Sequence, residues 1–163
     1  MPVSQVTVAK ESLGFSAAHF LTLPGHMCER LHGHNYRVAV TVEGSVDTRS
    51  GFVVDFADLK RVVREVIEPL DHRLLVPTAN ISLRIREDGD RLVVDYTRPE
   101  WLTLPREQAC LVPVQQTTAE LLADWMAEQV WSALTETGGR RLTRLVLELE
   151  ESTGQSAKAE REG

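Results

Sequence analysis

Four histidines and a cysteine gather in the first quarter of the chain. His19 closes the segment FSAAH, and GHMCERLHGHNY carries His26, Cys28, His32 and His34. Residues two apart in an extended chain point to the same side, so a strand through His32 and His34 presents two imidazoles together. Gly33 between them lets another backbone or a ligand come close. His19 is in phase with Phe15 and Ala17, and becomes a third nitrogen donor if its strand lies beside that of His32. Three neutral imidazoles with one open position describe a catalytic zinc site, because structural sites usually close their shell with cysteines. A lone pair such as His32 and His34 is as readily a packing or surface feature; His19 and the nearby thiol tip the reading toward Zn2+.

Cys28 stands four residues before His32 and has three open readings: a fourth ligand, a small buried hydrophobe, or a reactive thiol. A neighbouring cation, Arg30 or a metal, lowers a thiol's pKa toward neutrality and makes it a usable base or nucleophile. Cys110, inside ACLVPV, reads as a packing residue. His72 follows Asp71 in PLDHRLL. It reads either as a helix C-terminal histidine on the dipole or as a proton carrier, and neighbours in sequence need not face each other. Thr117-Thr118-Ala119-Glu120 fits a capping box with Thr117 as the cap. Near the C-terminus, Glu148 and Glu150 have the phase of a solvated face. Glu151 falls instead on the apolar side with Leu147 and Leu149, where a carboxylate wants a donor-rich partner.

These residues need elements to hold them. Residues Val6 to Phe15 alternate imperfectly and Tyr36 to Val42 alternate cleanly, so both are expected as strands. Gly44 and the stretch Asp47 to Gly51 mark a turn. Asp55 then caps a helix from Phe56 to Leu70, with Phe56, Leu59, Val63, Val66, Ile67 and Leu70 on one face. Ile81, Leu83 and Ile85, the Asp88-Gly89 turn and LVVDY predict a hairpin. A second helix is expected from Thr117 to Leu134, burying Leu121, Leu122, Trp125, Met126 and Val130 and stopped by Gly138-Gly139. Leu142 to Leu149 form a last strand, and the final ten or so residues read as a fraying polar tail. The order implies an α+β domain, an antiparallel sheet with two helices on one face.

The bulk properties narrow the class. At 163 residues, 42% hydrophobic and 26% charged, the chain suits one soluble domain. No apolar run spans a bilayer and no basic-then-apolar leader opens the chain. A net charge of −6 without a basic stripe argues against nucleic acid. Two cysteines make no disulfide framework, which fits a cytoplasmic protein.

FSAAHFL, CERLHGHNY, GFVVDFADLK, LDHRLL, TTAELLA and LEEST occur together in an order that resembles the 6-pyruvoyl-tetrahydropterin synthase family over most of the chain. The spacing C-x-x-x-H-G-H is the most specific element and is closer to the bacterial 6-carboxy-tetrahydropterin synthases of queuosine biosynthesis. The resemblance implies a tunnelling (T-fold) sheet assembling into a barrel, a hexamer made of two trimers, and sites at subunit boundaries. It implies that His19, His32 and His34 hold Zn2+ and that Cys28 is the proton-abstracting base. Asp71 and His72 would form the other proton-transfer group, from a neighbouring subunit; Glu151 would anchor the pterin ring, with Thr117 and Thr118 lining its pocket. The substrate implied is 7,8-dihydroneopterin triphosphate, converted by a lyase to a 6-carboxy or a 6-pyruvoyl pterin. An aldolase-like cleavage without triphosphate loss and a zinc-bearing pterin- or purine-binding protein without turnover are the rivals. Two departures bear on substrate identity: an insertion at about 77–113, and Ser152 where the family has threonine, with no tyrosine after it.

Overall fold

The alternation of YRVAVTV becomes the middle of a sheet. The computed structural model describes residues 2–136 and 142–163, with the backbone alone at residues 10–12. Strand β1 (Val3–His19) pairs antiparallel with β2 (His32–Ser45), and β2 pairs antiparallel with β8 (Leu142–Ser152). The imperfect alternation along β1 has a structural cause. Residues 10–13 of β1 face Val38 alone, so the inward residues change from Val6 and Val8 to Leu13, Phe15, Ala17 and His19. An odd excess of residues flips the phase of a strand. Without that bulge His19 would not lie on the side of its partner His32.

Two further strands widen the sheet on the side of β1. Strand β3 (Arg73–Pro77) runs parallel to β1, and β7 (Ala109–Val112) runs parallel to β3. The sheet is therefore mixed, in the order β7-β3-β1-β2-β8-β9. The last strand, β9 (Gln155–Glu162), corrects the expectation of a fraying tail. It pairs with β8 along its length after a turn at Gly154; Ala157 and Ala159 pack inward, Arg161 on the same side binds Asp124 and Glu128, and the alternate polar residues face out.

Both helices lie on one face, as expected. Helix α1 (Phe56–Ile67) packs on β1, and α2 (Ala119–Glu136) packs on β8 and β9 and against α1. Asp55 caps α1 by accepting the Ala57 N–H at 2.7 Å. Leu59, Val63, Ile67 and Leu70 are buried, but Phe56, at the first helical position, lies 56% exposed beside Phe52. In α2 the buried stripe is Leu122, Met126 and Val130; Leu121 sits one position off it and is 38% exposed. The Gly138-Gly139 stop falls outside the described residues.

The insertion forms a separate three-stranded sheet, β4 (Arg84–Asp88), β5 (Arg91–Asp95) and β6 (Leu102–Pro105). The hairpin across Asp88-Gly89 is there. The third strand adds to the expected hairpin, and Ile81 is fully exposed rather than part of β4. Leu74 and Val76 pack with Leu92, Val94 and Phe20, whereas Leu75 belongs to the main core under the helices. Alternate residues of β3 face opposite sides. The insertion thus covers the helix-free face of the sheet at the β7–β3–β1 end.

Candidate metal centre and active site

The register of β1 on β2 puts His19 directly opposite His32 and Ala17 opposite His34. One ligand atom from each of His19, His32 and His34 comes within 4.8 Å of the others. Gly33 has a backbone reason to be glycine: a Cβ on it would lie 3.0 Å from the Ala17 carbonyl oxygen, a tight contact. The fourth histidine of the segment, His26, stands apart and accepts the Cys28 N–H on Nδ1.

The two strand-end imidazoles are held in the tautomer a metal needs. His19 Nδ1 donates to the Thr117 carbonyl at 2.8 Å, and His32 Nδ1 donates to the Arg30 carbonyl at 2.7 Å. A carbonyl only accepts, so each Nδ1 carries the hydrogen and each Nε2 keeps its lone pair. His19 is 2% exposed, and its Nε2 is buried with no hydrogen-bond partner among the described residues. Burial pulls its pKa down to about 4, so the ring is a neutral donor at ordinary pH. A buried orphan nitrogen aimed at two more imidazoles is the arrangement a borderline-soft divalent ion fits.

Glu151 closes the other side. Its Oε1 lies 3.6 Å from His19 Nε2 and 3.9 Å from His34 Nε2. It also accepts the hydroxyl of Tyr36 at 3.3 Å. Burial, and then the Glu151 carboxylate, push the Tyr36 phenol far above its usual pKa, so it remains a donor. Tyr36 is absent from the expected site, although it continues the same-face series His32, His34, Tyr36 that the spacing in sequence displays.

A pocket at the start of α2 gathers His19, His32, Cys28, Thr118, Glu120 and Glu151. The capping pattern differs from expectation. The cap is Thr118, whose Oγ1 accepts the Leu121 N–H, while Thr117 is fully buried and its hydroxyl donates to the Phe20 carbonyl. The hydroxyl of Thr117 also lies 3.2 Å from His19 Nδ1, so it stands behind the imidazole, and Thr118 reaches the pocket wall.

Asp71 and His72 are not in this pocket. They line grooves with Ser16 and Asn35, and His72 shares one of these with Leu102 and Leu104 of the insertion, which covers the helix-free face, although Ala17 and His34 also reach that groove. They therefore sit on the opposite face of the sheet. The two side chains do meet, contrary to the expectation for sequence neighbours: Asp71 Oδ2 is 2.9 Å from His72 Nδ1. His72 makes this possible by adopting a φ of +56°. The turn is docked on Ser16, whose N–H donates to Asp71 Oδ1 at 2.8 Å and whose carbonyl accepts the His72 N–H at 2.6 Å. The Ser16 amide, and then the His72 ring, hold the Asp71 carboxyl below the usual carboxylate range. The His72 side chain is 81% exposed, ready to face something outside its own chain.

Comparison with known proteins agrees over nearly the whole length. The 6-pyruvoyl tetrahydropterin synthase family model matches residues 7–162. A Methanocaldococcus jannaschii protein provisionally named 6-carboxy-5,6,7,8-tetrahydropterin synthase is 32% identical over 146 residues, covering 89% of this chain and 88% of that one. The 6-carboxy-5,6,7,8-tetrahydropterin synthase of Haemophilus influenzae is 35% identical over 77 residues, 45% of this chain and 54% of that one. Among solved structures, the 6-pyruvoyl tetrahydropterin synthase of Plasmodium falciparum superposes with a TM-score of 0.87 at 25% identity, covering 99% of both chains. No helix among the described residues is long and apolar enough to cross a membrane.

Proposed function

The chain belongs to the 6-pyruvoyl tetrahydropterin synthase family, and from that premise we propose that it converts 7,8-dihydroneopterin triphosphate to 6-carboxy-5,6,7,8-tetrahydropterin in a zinc-dependent reaction. Acetaldehyde and triphosphate are released, and the step serves queuosine and related 7-deazapurine biosynthesis in the cytoplasm. The observation that carries this reading is the buried Nε2 of His19, without a hydrogen-bond partner among the described residues and set among His32, His34 and Glu151 beside the pocket that also holds Cys28.

His19, His32 and His34 would hold the ion, which when bound supplies Lewis-acid stabilisation of charge developing on the substrate's side-chain oxygens. Cys28, as thiolate, takes a proton from the substrate's side-chain carbon. Glu151 accepts the parallel N–H donors of the pterin's amino-pyrimidinone edge, steadied by the Tyr36 hydroxyl on Oε1. Thr118 lines the pocket and Thr117 orients His19. Asp71 binds Nδ1 of His72, which leaves Nε2 as the atom that gives or takes the second proton. Because that pair lies on the far side of its own sheet, it serves the pocket of a neighbouring copy in the assembled barrel, a hexamer of two trimers.

Incubating zinc-loaded protein with 7,8-dihydroneopterin triphosphate, with products identified by mass spectrometry, tests this. Acetaldehyde with 6-carboxy-5,6,7,8-tetrahydropterin is expected. A 6-pyruvoyl product, the reading favoured by the likeness to the Plasmodium falciparum enzyme, would keep the residues and change the pathway. No conversion by folded, zinc-bound protein would leave a pterin-binding protein without turnover.

A further inference from the structure

Phe20 and Leu21 anchor the start of the segment between β1 and β2, but the stretch after them, residues 23–31, carries Cys28 and has almost nothing apolar to hold it. No residue of its single helical turn, Met27–Glu29, is buried, and Met27 and Leu31 are 80% and 52% exposed. Hydrogen bonds hold it instead. Leu21 N–H donates to the Cys28 carbonyl at 2.9 Å. Glu29 uses both carboxylate oxygens: Oε2 accepts the Gly25 N–H at 3.0 Å, and Oε1 accepts the Tyr96 hydroxyl at 2.8 Å. The Gly25 end of this clasp has a φ of +82°, a conformation that suits glycine.

Tyr96 comes from the insertion, and the insertion is built to present it. Asp95 Oδ1 accepts the Glu100 N–H at 2.7 Å, which tightens the turn, and Glu100 takes a φ of +48° there. The Tyr96 ring meets Trp101 edge-on at 5.6 Å, and Trp101 packs on Phe20 at 4.8 Å. Phe20 is fully buried and follows the ligand His19 in sequence. A continuous strut thus runs from the end of β1, through the insertion, to the Cys28 loop. Burial, and then the Glu29 carboxylate, raise the pKa of the Tyr96 phenol, so its hydrogen stays on to donate.

We propose that Tyr96 is a positioning residue: through Glu29 it clamps the loop that carries Cys28, and this is the task of the insertion at the site. The proposal rests on the reading of Cys28 as the base only for its effect on turnover; the clamp itself is read from the thiol. In full-length, zinc-loaded protein, the rate of Cys28 alkylation by iodoacetamide can be followed peptide by peptide, with Cys110 as internal reference. Tyr96→Phe removes one hydrogen bond and should speed Cys28 alkylation about fivefold, leave Cys110 unchanged, and lower kcat with little change in KM. Glu29→Ala, at a partly exposed position, removes the Gly25 contact as well and should do at least as much. The double variant should be no worse than Glu29→Ala alone, because that substitution already removes the Tyr96 contact. Unchanged Cys28 alkylation in both single variants, or additive effects in the double, overturns the clamp. Faster alkylation with normal kcat upholds the clamp and removes Cys28 from the chemistry, which separates this proposal from the functional one.

Discussion

The imidazole cluster and the Asp71–His72 turn hold histidines in opposite ways. His19 is 2% exposed, lies in register on a long strand pair, and has its ring fixed from behind by Thr117. His72 is 81% exposed on a turn with left-handed backbone, fixed by its own neighbour and by the Ser16 backbone. The first arrangement is complete within one chain, with every second contact of His19 supplied by elements of the same core. The second is finished on one side only and points away from its own cluster across the thickness of the sheet. Burial fixes the first histidine within its own chain, and the exposure of the second, oriented and hydrogen-bonded, is what its proposed role across a subunit boundary requires.

That contrast can be broken most severely at the cluster. His32→Ala should reduce bound zinc from near stoichiometric to trace, as read by elemental analysis, and lower turnover at least about a thousandfold, since a Lewis acid supplies several kcal/mol. Stoichiometric zinc in the purified variant would take His32 out of the ligand set. The exposed half is tested by mixing. Cys28→Ala and His72→Ala should each bind zinc and be nearly inactive, down about a hundredfold or more. Co-expressed, they should regain activity at about a quarter of the sites, those pairing an intact Cys28 with an intact His72 from the adjoining copy. No recovery in mixed oligomers would place the pair's action within its own chain, or nowhere. The smallest effect is expected behind the cluster. Thr117→Val removes the hydroxyl beside His19 but keeps the carbonyl that accepts from Nδ1, so zinc affinity measured against a competing chelator should fall about tenfold. An unchanged affinity would show that the carbonyl alone sets the ring.

What could be read from the sequence follows the same division between local and partnered structure. Alternation along residues 36–42 found β2, and the i, i+2 spacing found His32 and His34; carried one step further it would have found Tyr36. The bulge opposite Val38 was not legible, because a phase change in β1 becomes a bulge only when β2 holds the register fixed. Strand β9 resembles a tail in sequence because its inward side offers two alanines, Ala157 and Ala159, and Arg161, whose partners Asp124 and Glu128 lie far away in the chain; pairing with β8 supplies what its composition lacks. The Asp71–His72 contact needed a backbone conformation that no spacing rule assigns to histidine. The link from Glu29 to Tyr96 crosses 67 positions and joins two exposed-looking turns, so nothing local announces it.

The left-handed backbone at His72 carries a further consequence, in the currency of melting temperature. A non-glycine residue held at positive φ costs about 1 kcal/mol that glycine does not incur. His72→Gly should therefore melt at the same temperature as the parent or a few degrees above it, a shift readable by calorimetry; a clearly lower melting temperature would mean that the Asp71 contact outweighs the strain. A selection scored on thermal stability alone would drift toward glycine or asparagine at this position. It would return a well-folded, zinc-loaded protein that had lost its proposed proton carrier.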